Sequence, residues 1–228
     1  VRQVLLDAGA GPGPRRVADR AAAAGIDVRV LPSPAFADLA RGRPFQGIAA
    51  RVRPFAYVDL DDLLAAVAGR PGAFLVALDQ VQDPQNLGSV LRSAAFFGAS
   101  GVIVLQDRSA QVTPAVVRAS AGGAARVPVA RVVNLARALR ACTDAGVVPV
   151  GAVARDGRAP ADVPADAPVV LVLGSEGEGL RRLVRESCEV LVTIPSPGGF
   201  ESLNVGVAAG VLMHALACRP ARGGPGVP

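Results

Sequence analysis

The sequence predicts an α/β fold: a mostly parallel sheet with helices on both faces, preceded by a smaller α/β module. Three observations carry this expectation. Across residues 73–219, apolar runs such as Phe74-Leu75-Val76-Ala77-Leu78 and Val169–Leu173 alternate with longer stretches of helical composition, the pattern of βαβ units. Those runs lack the apolar/polar alternation of a half-exposed strand, so they suit a sheet covered on both faces. With 228 residues and 51% hydrophobic content, the chain can bury a sizeable core.

In the first module, Val4-Leu5-Leu6 reads as a strand, Gly9–Pro14 as a loop, and Arg15–Ala24 as a helix stopped by Gly25. Val28–Leu31 is a second strand, Pro34–Leu39 a helix and Gly47–Val52 a third strand. Pro54–Asp59 is extended, and Asp61-Asp62 suit the positive end of a helix over Leu63–Ala68. Turn residues at Gly69–Gly72 put the boundary there, making 1–54 one domain, 55–72 a linker and 73–219 the main domain. There, Phe74–Leu78 leads through a polar loop, Asp79–Gln85, into a helix through Leu91–Phe97 that stops at Gly98. Val102–Leu105 is the next strand, and Thr113-Pro114 supplies an N-cap with proline at the first helical position. Val127–Val129 is extended, Asn134 caps a helix to about Ala145, and Val147–Ala152, Val169–Leu173 and Leu191–Ile194 are strands. Asp156–Pro168 is expected as a surface loop and Pro220–Pro228 as a disordered tail. Val1 falls within a strand pattern, so an incomplete N-terminus is expected.

All 24 basic residues are arginine. A GC-rich coding bias explains this more simply than selection for bidentate phosphate recognition. The charge is uneven, with ten arginines against seven acids over 1–70, eight against four over 71–155, and six against eight thereafter. That excess favours a polyanionic partner such as nucleic acid. Cys142, Cys188 and Cys218 show no C-x-x-C spacing and His214 is the only histidine, which disfavours a disulfide framework and a metal site. Charges, Pro or Gly interrupt every apolar run, so a cytoplasmic protein with no membrane partner is expected.

Three stretches concentrate polar groups and glycines: Asn86-Leu87-Gly88 leading to Arg92; Gly174-Ser175-Glu176-Gly177-Glu178-Gly179; and Ser202-Leu203-Asn204-Val205. None is a P-loop or a G-x-G-x-x-G fingerprint. Each follows a predicted strand, and ligands of open α/β sheets bind outside the carboxyl ends of strands. The glycines of the second expose backbone groups that suit an adenosine-like ligand. Singly, each has a plain reading as a turn or a helix cap, and a six-residue spacing does not decide whether Asn86 and Arg92 converge.

In order, these motifs resemble the SpoU class of SPOUT methyltransferases over residues 73–217, from Leu78-Asp79-Gln80-Val81-Gln82-Asp83-Pro84-Gln85-Asn86-Leu87-Gly88 to Ile194-Pro195 and Ser202-Leu203-Asn204-Val205. Residues 1–54 resemble the family's L30e-like RNA-binding domain through Phe45-Gln46-Gly47-Ile48-Ala49-Ala50, with Phe45 where members usually carry His. The resemblance implies a deep C-terminal trefoil knot, a homodimer, and S-adenosyl-L-methionine held at Gly174, Ile194 and Leu203. It implies transfer of a methyl group to a guanosine 2'-hydroxyl, with 23S rRNA the expected target and no DNA partner. A tRNA 2'-O-methyltransferase or a catalytically silent RNA-binding relative is the alternative. The implied catalytic residues are Asn86, Arg92, Glu176, Ser202 and Asn204. Since a guanidinium stays protonated in proteins, Arg92 is expected to hold phosphate and stabilise the developing alkoxide, and Glu176 to accept the proton. Arg108 is placed to face RNA.

Overall fold

The described residues of the computed structural model, 1–40, 45–163 and 165–219, divide between two units, Val1–Phe55 and another beginning at Ala56. In the smaller unit β1 (Gln3–Asp7), α1 (Pro12–Ala23), β2 (Asp27–Leu31), α2 (Ser33–Ala40) and β3 (Ile48–Arg51) follow one another. The sheet order is β2-β1-β3, with β2 parallel and β3 antiparallel to β1. Val4 and Leu6 pack with Ala18 of α1 and with Ile48. Helix α1 starts at Pro12, inside the expected loop, because Pro12 and Pro14 fall in a first turn whose N–H groups need no helical partner.

The larger unit contains α3 (Leu60–Val67), β4 (Phe74–Leu78), α4 (Pro84–Phe97), β5 (Gly101–Leu105), α5 (Pro114–Ala119), β6 (Val129–Val132) and α6 (Leu135–Asp144). These lead to β7 (Val148–Ala152), β8 (Val169–Leu173), α7 (Arg182–Glu186), β9 (Val190–Val192) and α8 (Val205–Ala217). All six strands are parallel, in the order β6-β5-β4-β8-β7-β9. The chain runs outward from β4 to β6, then returns to place β8 against the other side of β4. This reversal opens a crevice beyond the carboxyl ends of β4 and β8.

Alternate residues of these strands feed two layers. Leu75, Ala77, Ile103, Val170 and Val172 pack with Leu63 and Val67 of α3, Leu135 and Leu139 of α6, and Val184 of α7. On the opposite face lie α4 and α8, packed against each other. Gly88 lets α4 approach α5 closely, since a Cβ there would lie 2.3 Å from the Ala119 Cβ. Gly206 does the same for α8 against Ser89.

Several expectations are corrected. Residues 55–72 are not a linker: α3 buries Leu63, Leu64 and Val67 in the larger unit's core, and the division falls at 55/56. Extended Asp59 caps α3, its N–H reaching Asp62 Oδ2 at 3.4 Å, so the helix starts at Leu60 rather than Leu63. Strand β9 ends at Val192, leaving Ile194 in the following loop. The stretch 156–168 is not wholly surface loop, because Val163 is buried and Arg158 bridges to Val192. The expected tail, 220–228, lies outside the described residues. Among those described, no helix is long and apolar enough to cross a membrane, and no group of three or more His, Cys, Asp or Glu is placed to hold a metal.

Candidate active site

Helix starts and a glycine loop bring the site's polar groups together. Asp83 is the N-cap of α4, its Oδ1 accepting from Gln85 N at 2.9 Å, with Pro84 next in line. Asn86 therefore sits in the first turn, with its side chain buried. Asn204 caps α8, its Oδ1 accepting from Gly206 N at 2.9 Å and Val207 N at 3.3 Å. That role occupies the amide oxygen and leaves Nδ2 to donate elsewhere.

Between them comes residue stretch 174–180, which leaves β8 and folds back with Gly179 N donating to Ser175 O at 3.0 Å. Gly177 and Gly179 take φ of 89° and 68°, a region that favours glycine. Gly174 permits the closest approach, since a Cβ there would meet the Gly179 carbonyl carbon at 2.1 Å. The fold-back presents Glu176, whose Oε1 accepts from Asn204 Nδ2 at 2.6 Å, Asn86 Nδ2 at 3.1 Å and Val205 N at 3.3 Å. Asn204 Nδ2 also donates to Asn86 Oδ1 at 2.9 Å. A carboxylate can only accept, so Glu176 fixes the orientation of both amides.

Two cavities meet at this cluster. The larger, about 560 Å3, takes its lining from Gly174, Ile194, Leu203 and Ser202 among others; the smaller, about 390 Å3, includes Gln80, Gln82, Asp83, Asn86 and Glu178. Ser175, Glu176 and Val205 line both. The residues expected at the cofactor, Gly174, Ile194 and Leu203, thus share one cavity, and Asn86, Glu176 and Asn204 form one hydrogen-bonded group. Ser202 lines the larger cavity but lies outside that group. Arg92 does not join it: six residues along α4, about 9 Å further up the axis, it is exposed and makes no hydrogen bond or ion pair among the described residues.

Sequence reasoning missed Asp79 and Arg181. Asp79 is fully buried at the end of β4 and holds Arg181 at the far end of the glycine loop. The signals for Asp79 were an acid directly after an apolar run and its place in the Leu78–Gly88 stretch that carries the resemblance, and nothing in the sequence singled out Arg181. Nearby, burial first and the Asp79 charge second push the Cys188 thiol up to about 12.

The model of the SpoU rRNA Methylase family matches residues 73–214. A protein of Mycobacterium ulcerans (strain Agy99) named "Uncharacterized tRNA/rRNA methyltransferase" is 48% identical over 198 residues, 87% of this chain and 64% of that protein. This chain thus spans somewhat less than two thirds of that relative. The SpoU methyltransferase AviRb from Streptomyces viridochromogenes, solved with the cofactor AdoMet, superposes with a TM-score of 0.75 at 28% identity, covering 95% of this chain and 82% of that one. An AdoMet-bound rRNA methyltransferase from Sinorhizobium meliloti gives a TM-score of 0.73 at 27% identity, covering 94% and 78%. The chain belongs to the SpoU rRNA methylase family, whose cofactor is S-adenosyl-L-methionine.

Proposed function

We propose that this protein is an RNA ribose 2'-O-methyltransferase using S-adenosyl-L-methionine. One observation carries the reading: the hydrogen-bonded Asn86, Glu176 and Asn204 stand where two cavities share a wall. The larger cavity has the volume of a small-molecule site, and its glycine-lined loop leaves backbone groups uncovered for a ligand of nucleoside and amino-acid character. The smaller lies beside it, as an acceptor nucleotide requires. Bound there, the cofactor supplies an electrophilic methyl group on a cationic sulfonium.

The chain's own residues then position the acceptor and manage its proton. Three donors fall on Glu176 Oε1, so proton acceptance from the ribose hydroxyl is assigned to Oε2. Asn86 and Asn204 hold the carboxylate in place, and Ser202 borders the cofactor side. Arg92, always cationic, is assigned to phosphate and to the oxygen as its negative charge develops. Its position away from the cluster favours action in the site of a second copy, and a homodimer belongs to this reading. Phe96 is 82% exposed on α4, and Val207 and Val211 are exposed on α8, apolar surface that a second copy would cover.

The reading extends to a C-terminal trefoil knot, which membership of the SpoU rRNA methylase family favours. It also makes the smaller unit an L30e-like RNA holder, and a guanosine of 23S rRNA the target, with tRNA the nearest alternative. The test is incubation with methyl-labelled cofactor and separate ribosomal and transfer RNA pools, followed by mapping of the modified ribose. Label in ribosomal RNA at a guanosine 2'-oxygen is expected. Label confined to transfer RNA overturns the target, and cofactor binding without label in any RNA marks a silent relative.

A further inference from the structure

We propose that Asp79 is a positioning residue for the cofactor loop, acting through Arg181 and touching neither ligand. The inference rests on the methyltransferase reading above. Asp79 is the first residue beyond β4 and is fully buried. Its own N–H donates to Leu173 O at 2.8 Å, extending the pairing of β4 with β8 by one step. One carboxylate oxygen, Oδ2, accepts from the Arg181 backbone N–H at 2.9 Å. The other, Oδ1, accepts from Arg181 Nε at 2.7 Å and pairs with a terminal guanidinium nitrogen at 2.6 Å. A single side chain thus grips both the main chain and the side chain of one residue.

That residue closes the loop. Leu173 ends β8 and Arg181 begins the turn into α7, so Asp79 ties both ends of residues 174–180 to β4. The span between is shaped by two left-handed glycines and by the contact of Gly174 with Gly179 and Leu180. It supplies Gly174, Ser175, Glu176, Gly177 and Gly179 to the larger cavity, whereas neither Asp79 nor Arg181 lines either cavity. A displaced Arg181 moves Gly179 and Leu180 off Gly174, and with them the backbone groups facing the cofactor. The arginine is itself 43% exposed against 0% for the acid, so the buried partner is the fixed point and Arg181 is what it holds.

The test compares Asp79→Asn, Arg181→Ala and Arg181→Lys with Val67→Ala, a core substitution in α3. S-adenosyl-L-methionine affinity is measured by calorimetry, and melting temperature alongside. Asp79→Asn and Arg181→Ala are expected to weaken binding by about ten-fold or more, with Arg181→Lys recovering part of the loss. Val67→Ala, although it lowers the melting temperature, should stay within about two-fold of the unmodified protein. If Asp79→Asn does not fold, the more exposed Arg181 substitutions decide. Folded variants that bind within about two-fold of the unmodified protein, or affinities that simply follow melting temperature across all four, overturn the assignment. An unmodified protein that binds no cofactor overturns the function reading itself, a result distinct from either.

Discussion

Glu176 carries more of the site than any other side chain, because three donors from two separate segments converge on one of its oxygens. Glu176→Gln tests its chemistry apart from its geometry. The amide oxygen of Gln can still accept from Asn86, Asn204 and the Val205 N–H, while the capacity to take a proton is lost. Cofactor affinity is therefore expected to hold, while single-turnover methyl transfer falls by about 100-fold or more. Transfer at the original rate removes Glu176 as proton acceptor. Asn204 has two roles that the sequence alone does not separate. It is a helix cap and a member of the cluster at once, its oxygen serving α8 and its nitrogen serving Glu176.

Among the elements, α4 is the one on which the site hangs, packed against α5, against α8 and over the sheet. Its approach to α5 depends on Gly88. Gly88→Ala sets a methyl 2.3 Å from the Ala119 Cβ and 3.1 Å from backbone atoms of Ala119 and Ser120, which no rotamer change relieves. A loss of about 1–3 kcal/mol is expected in denaturant unfolding, with cofactor affinity reduced as Asn86 shifts. The strands of the parallel sheet were legible because continuous apolar runs such as Phe74–Leu78 have few other uses, and Gly98 marked the end of α4 with a φ of 75°. Element starts were less legible. Prolines at 12 and 84 begin helices within stretches whose composition reads as loop, and α3 begins at Leu60 because Asp59 is extended. Motif order brought Asn86, Glu176 and Asn204 to one site, but spacing along a helix could not show that Arg92 stands apart. Nor could it pair Asp79 with Arg181, because their contact spans 102 residues and belongs to the tertiary fold.

At the scale of the molecule, the buried thiols report on integrity. Burial pushes Cys142 and Cys188 up to about 12 from an ordinary 9.0, with the Asp79 charge a second cause at Cys188. The folded protein keeps these protons at pH values where the unfolded chain releases them, so their contribution is full below about pH 9 and is lost as pH rises toward 12. Melting temperature is expected to decline over that window. In iodoacetamide labelling near neutrality, exposed Cys218 should react first, leaving Cys142 and Cys188 unlabelled until unfolding. Early labelling of Cys142 would show that α6 does not seat against the sheet as described.

The hydrogen bond between Asn86 and Asn204 joins positions 118 residues apart, and that between Asn86 and Glu176 joins positions 90 apart. A chain emerging from the ribosome makes β4 and α4 early, yet it cannot complete the cluster until Asn204 and the first turn of α8 have emerged. Long-range closure of this kind is slow and comes late in folding. On the methyltransferase reading, catalytic competence is thus a property that the nascent chain gains only once residues 204–205 are free to fold back on α4, and any intermediate stopped short of them lacks the cluster.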